Sequence, residues 1–131
     1  MDTLARLTQE HGALRVLLER IEAAAEVRDA VALSASLQAA RTALTIELDA
    51  HISVEEAEAF SPIAETLGAR LVAPFYEEHV EIRATRDDVY ARLAHDEAPY
   101  AEALRLCDLI LAHQQREDMM LFPSAREAAI L

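Results

Sequence analysis

Leu4, Leu7, His11, Leu14, Leu18, Ile21 and Ala25 succeed one another at alternating intervals of three and four residues. An α-helix turns once in about 3.6 residues, so these positions form one stripe and predict a helix with one buried face. Asp2 or Thr3 offers a cap at its start, and Asp29 punctuates its end while offering a cap to the next element. Gly12 interrupts the stripe's neighbourhood at a cost of about 1 kcal/mol against alanine, which suggests close approach of another helix. A second helical pattern runs from about Ala30 towards Leu67, with Leu33, Leu37, Ala40, Leu44, Leu48, His51 and Glu55 inward. Pro62 is expected to kink it or end its regular part, and Gly68 to stop it. A third is expected from near Pro74, a favoured first-turn residue, along Phe75, His79, Ile82, Arg86, Val89 and Leu93. Residues 94–99 read as a turn, and a fourth helix carries Leu106, Ile110, His113, Glu117, Met120 and Ser124 inward. Long helices with short connections predict an all-α protein, an antiparallel up-down four-helix bundle.

Composition narrows this little further. A chain of 131 residues is long enough to bury a core without staples, and 5% aromatics without tryptophan disfavours strand-rich folds. Cys107 stands alone and forms no internal disulfide. The start, Met1 to Arg6, has no basic stretch leading into an apolar one, and no apolar run approaches the ~20 residues that span a bilayer. The expectation is a soluble, cytoplasmic protein with no membrane partner. A formal charge of −12 repels phosphate backbones, so nucleic acid is not an expected partner either.

What changes the picture is polarity inside the stripes. His51-Ile-Ser-Val-Glu55 and His113-Gln-Gln-Arg-Glu117 each place an imidazole one turn from a carboxylate. Each glutamate is followed five residues later by a phenylalanine, Phe60 or Phe122, and then by Pro62 or Pro123. An inward histidine, His11 or His79, precedes each pair, so the chain reads as an imperfect repeat of a helical hairpin. A lone inward histidine is more often a hydrogen-bonded core residue, and one HxxxE arises readily by chance. Two such pairs with two more inward histidines call for something that compensates buried charge, since an unpaired buried carboxylate costs several kcal/mol. A metal cluster satisfies all six groups. Imidazole and carboxylate without thiolate suit iron, manganese or zinc. If both carboxylates bridge two metals, each metal has two imidazoles and two oxygens, and an oxo or hydroxo bridge still leaves a position open for a small ligand. Glu56, Glu77, Glu78, Glu81 and Asp118 lie about 100° or more off the ligand stripe and are expected at the surface or around the ligands. Tyr76 and Tyr90 are expected in the core, Met119, Met120 and Phe122 packed at the bundle end, and Cys107 buried.

His11, His51-x-x-x-Glu55, His79, His113-x-x-x-Glu117 and the trailing Phe122-Pro123 resemble the hemerythrin-like proteins, specifically their HHE cation-binding domain. The resemblance covers nearly the whole chain, taken as one domain over 1–131. It implies a non-haem di-iron centre with His11, His51, His79 and His113 as terminal ligands and Glu55 and Glu117 as bridges, alongside an oxo or hydroxo bridge. Oxygen-carrying members of the family have a fifth histidine one turn from the third-helix ligand. Here that spacing holds Phe75 and Arg83, and His95 falls in the turn. The chain thus resembles a four-histidine variant, which weakens the case for reversible dioxygen carriage. Arg83 is expected at the surface.

Three functions follow. The first is a di-iron protein that binds or senses dioxygen or nitric oxide, or handles iron under oxidative or nitrosative stress; as a sensor it would need a partner in trans or a second copy. The second is a di-iron redox enzyme, a peroxidase or oxidase. The third is a metal-free or zinc-bound helical interaction module. Ferritin-like chemistry is disfavoured because no histidine has a glutamate three residues before it, and metalloprotease chemistry because HExxH is absent.

Overall fold

The computed structural model describes residues 2–130, and these are helical throughout apart from short joints. Helix α1 spans Thr3–Glu26, and the Asp2 carboxylate accepts the Ala5 N–H at 2.8 Å. Helix α2 spans Ala30–Ala39 and is capped in the same way by Asp29 on the Ala32 N–H, at 3.0 Å. Helix α3 covers 43–67, opening with a π-helical turn at Ala43–Glu47 and holding a second at Glu56–Phe60. Helix α4 spans Ala69–Ala94. Helix α5 covers 100–127, with a π-helical turn at Glu117–Leu121.

Two boundaries and one orientation differ from expectation. The second pattern is two helices, broken beyond Ala39, not one. At ~1.5 Å per residue a continuous helix over 30–67 would run about 57 Å against about 36 Å for α1, carrying Leu33 and Leu37 past any partner. Broken there, α2 packs on α1 and both leucines are buried with Leu18 and Ile21. Helix α4 begins at Ala69 rather than near Pro74. Gly68, at φ +105°, is the whole joint between α3 and α4, and Pro74 sits early enough in α4 to forfeit only one backbone bond. In α5, Met120 was expected inward, and Met119 and Met120 at the bundle end; they are 63% and 68% exposed, Met119 being the latter. A π turn closes its hydrogen bond over five residues instead of four, so the buried stripe resumes one position late, at Leu121, Phe122 and Ala125.

Apolar side chains gather in two clusters. One joins Leu18, Ile21, Leu33, Leu37, Leu44, Ile52, Ile82, Val89, Leu106 and Ile110. The other joins Leu4, Leu7, Phe60, Ile63, Val72, Phe75, Leu121 and Phe122. Each of α1, α3, α4 and α5 passes from one cluster to the other, and each crosses at a histidine or glutamate of the predicted set. Leu7 gives way to His11, Ile52 to Glu55, Phe75 to His79, and Ile110 to His113 and Glu117. The polar groups form a layer between two apolar ends. Tyr90 is core, its hydroxyl donating to the Leu37 carbonyl at 2.7 Å, and Cys107 is fully buried. No helix is long and apolar enough to cross a membrane among the described residues.

Candidate metal centre

All six predicted side chains meet in that layer. His79 Nε2 lies 2.8 Å from Glu55 Oε1, and His113 Nε2 lies 3.5 Å from the same oxygen and 3.1 Å from Glu117 Oε2. The two Nε2 atoms are 3.1 Å apart. On the other side, His11 Nε2 is 3.2 Å from Glu117 Oε1 and 3.7 Å from Glu55 Oε2, to which His51 Nε2 comes within 3.2 Å. Each carboxylate therefore turns one oxygen to one pair of imidazoles and its other oxygen towards the other pair. One donor atom from each of Glu55, His79, His113 and Glu117 lies within 4.8 Å of the rest, as do donors of His11, His51 and Glu55. Either group is compact enough to hold a metal ion.

The ring nitrogens facing outward are held too. His51 Nδ1 meets Glu10 Oε1 at 2.8 Å, His79 Nδ1 meets Glu56 Oε2 at 2.7 Å, His113 Nδ1 meets Glu78 Oε1 at 2.7 Å, and His11 Nδ1 meets Asp118 Oδ1 at 3.0 Å. An ionised carboxylate only accepts, so each Nδ1–H donates, leaving Nε2 to face the centre. The bonds run in a circle: α1 supplies the carboxylate for α3, α3 for α4, α4 for α5, and α5 for α1. Arginines stand behind three of these acids, Arg6 on Glu10, Arg116 on Glu78 and Arg15 on Asp118. Glu56, Glu78 and Asp118 thus lie around the ligands as one expectation had it, whereas Glu81 pairs with Arg105 at the surface and Glu77 is exposed. Sequence reasoning missed Glu10. The signal was adjacency: Glu10 precedes His11 as Glu78 precedes His79, and Glu56 follows Glu55 as Asp118 follows Glu117.

The π turns explain the phenylalanines that trail each glutamate. Phe60 stacks on His79, centroids 5.2 Å apart and planes 14° apart, and Phe122 stacks on His11 at 6.0 Å and 14°. A continuous α-helix would place the fifth residue about 140° from the glutamate, off the buried stripe. The extra residue of the π turn returns it inward. Phe75, one turn from His79, meets the His113 ring edge to face, centroids 5.7 Å apart. Arg83 pairs with Asp49, and His95 is exposed in its turn with Nδ1 on the Ala91 carbonyl.

Burial penalises every charge here, yet the three shifted histidines and Glu55 favour one another's charged forms. Burial opposes the His11 charge, but Asp118, Glu117 and Glu55 lift it to about 11. His113 is raised to about 10 against the same penalty by Glu117 and Glu55, and His51 is raised chiefly by Glu55. Burial likewise works against the Glu55 carboxylate, which the close approach of Glu117 and of the His11, His113 and His51 imidazoles holds well below the usual carboxylate range. Glu117, desolvated beside that charge, is pushed up. Even so, His11 Nε2, Glu55 Oε2 and both Glu117 oxygens are buried without a hydrogen-bond partner. Unpartnered buried carboxylate oxygens beside inward imidazole nitrogens are the donor set of a cation.

Among known families, the model of the Hemerythrin HHE cation binding domain matches residues 2–125. No curated protein and no solved structure matches the chain.

Proposed function

Since the chain belongs to the hemerythrin HHE cation-binding family, we propose that its single domain is an up-down bundle of α1, α3, α4 and α5, with α2 as an added arm, built to hold two iron ions. His79 and His113 would ligate one ion, His11 and His51 the other, and Glu55 and Glu117 would bridge them. The observation that carries this reading is the orientation of the two carboxylates, each offering one oxygen to each pair of imidazoles. Irons held in this way supply a redox couple and open coordination positions for dioxygen or nitric oxide.

The chain's own residues do the rest. The outer carboxylates fix each imidazole with Nε2 inward, so little reorganisation is needed on metal binding. Phe60, Phe75 and Phe122 close one end of the polar layer and keep water from it. The positions one turn from His79 hold Phe75 and Arg83, neither a usual metal ligand, so both ions would stay open to a ligand. That favours sensing, or handling of iron under oxidative or nitrosative stress, over oxygen carriage. The lone buried Cys107 and the −12 charge are in keeping with a cytoplasmic protein that binds neither nucleic acid nor membrane.

The test is spectroscopic. Protein loaded with ferrous iron under nitrogen is exposed to nitric oxide and, separately, to air. New visible bands that appear with nitric oxide and are absent from His79→Ala would support the reading. Rapid hydrogen-peroxide turnover with no stable gas complex would favour the redox enzyme instead.

A further inference from the structure

Among the described residues, Arg86 is the one buried charged side chain that lies outside the centre, about two turns beyond His79 on α4. Its Nη1 donates to Asp49 Oδ1 at 2.6 Å and to the Leu44 carbonyl at 3.2 Å, and its Nε donates to Asp87 Oδ1 at 3.0 Å. Arg83 brings its Nε within 3.5 Å of the same Asp49 oxygen. Leu44 and Asp49 both belong to α3, so these bonds cross from one helix to another.

The Leu44 carbonyl is free to accept because of the π turn at Ala43–Glu47. There the Leu48 N–H reaches the carbonyls of Ala43 and Thr45, and Leu44 goes without the donor that an α-helix would supply. One turn further along α4, the Tyr90 hydroxyl donates to the Leu37 carbonyl in the last turn of α2. Arg86 and Tyr90 thus hold the chain on both sides of the break between α2 and α3. A guanidinium suits its half of this task, because it stays charged when buried and its planar fork satisfies a carboxylate and a carbonyl together.

Two residues beyond Asp49 stands His51. It is the most exposed of the four histidines of the centre, at 11%, and the acid behind it, Glu10, is itself well exposed. On the α1 side this stretch lacks support: Ala43, Glu47, Ala50 and His51 border an open cavity of about 340 Å³. Beyond the packing of its buried leucines, the first half of α3 is therefore fixed from α4.

We propose that Arg86, through Asp49 and the Leu44 carbonyl, is a positioning residue for His51, and sets the affinity of the ion that His11 and His51 would hold without affecting its neighbour. The inference rests on the metal reading of the centre.

The experiment titrates cobalt(II) into the metal-free full chain and follows its visible bands. Asp49→Asn removes the charged end of the tie at a residue that is 49% exposed, so the fold should survive it. Arg86→Met removes the tie outright, and Arg86→Lys keeps the charge without the fork. Two equivalents are expected in the parent. In Asp49→Asn and Arg86→Met one equivalent should weaken about tenfold, the lower end of what losing a ligand's support costs, and the other should bind as before. Arg86→Lys should recover part of the loss. With His51→Ala already in place, the same substitutions should cost nothing more, whereas a general loosening of the bundle would weaken the remaining ion in both backgrounds. In metal-free protein, amide hydrogen exchange over residues 44–52 should quicken in Asp49→Asn while residues 76–82 keep the parent's rates.

Folded variants that bind both ions as the parent does, or that lose both alike, would overturn the proposal. So would equal losses with and without His51. If Arg86→Met does not fold, Asp49→Asn decides. A parent that takes up no cobalt sinks the metal reading and this inference with it; two equivalents that are the same in every folded Asp49 and Arg86 variant sink this inference alone.

Discussion

At the scale of single residues, the centre depends on what stands behind each imidazole. A histidine that donates through Nδ1 to a carboxylate is fixed in tautomer and orientation, and losing such a partner typically lowers metal affinity 10–100-fold. Glu78→Ala, which strips His113 of its acid, is expected to lose affinity by about that factor in a chelator competition. Glu10→Ala should lose less, because Glu10 is 41% exposed and water can take its place. Glu77→Ala, one residue from Glu78 but exposed, should bind as the unaltered chain does. The six inner residues were legible in the sequence because each is a polar residue on an apolar stripe, where it cannot be ignored. Glu10 was not, because a glutamate on the polar flank of a helix looks like any solvated acid until the fold sets His51 beside it. Cys107 carries a second prediction. Burial, helped by the nearby charges of Glu22 and Asp108, pushes its thiol up to about 12. The thiolate is the reactive form, so iodoacetamide at pH 8.5 should leave the folded chain unlabelled and label it fully in denaturant.

At the scale of the helix, the π turns settle where side chains point. Periodicity alone carried the stripe through Glu117 to Met120, and the structure turns it to Leu121 and Phe122. The repeated glutamate-to-phenylalanine interval of five was visible in the sequence, but a 3.6-residue period has no place for it. Deleting Met120 would restore an α-helical turn and swing Phe122 away from His11. Weaker metal binding and a lower melting temperature are expected, whereas Met120→Ala should change neither. The break after α2 was also hidden, because Leu33 to Leu48 keep one period across it; only the length of the partner helices decides it. The glycines give a paired prediction. An added Cβ at Gly12 meets nothing within 4 Å, so no helix approaches it closely as its sequence suggested, and Gly12→Ala should stabilise by about 1 kcal/mol in urea titration. Gly68 has equal space but φ +105°, which an L side chain rarely adopts, so Gly68→Ala should destabilise by about 1–2 kcal/mol.

At the scale of the molecule, two apolar clusters enclose a polar layer whose charges are compensated only in part. Stability should therefore rise when a metal binds the folded chain and not the unfolded one, and chelation should lower the melting temperature. Away from the centre, pH acts through two buried groups. Burial raises Tyr90 from 10.0 to about 12 and Cys107 from 9.0 to about 12, so the folded chain favours their protonated forms. Their contribution is complete below about pH 9 and is lost as pH rises through about 12. In the metal-free chain the share of alkaline destabilisation due to these groups should be smaller in Tyr90→Phe and Cys107→Ala than in the parent. The helical class was legible because apolar positions recur at helical spacing along every long helix. The circle of outer carboxylates was not, since each of its bonds joins different helices.

The most direct test is the metal content of protein purified from iron-supplemented cells, compared with His113→Ala and Glu117→Ala prepared alongside. Two irons per chain in the parent, with a marked loss in both variants, is the result predicted here. No iron in the parent, or variants that hold as much as it does, would contradict the metal centre described above.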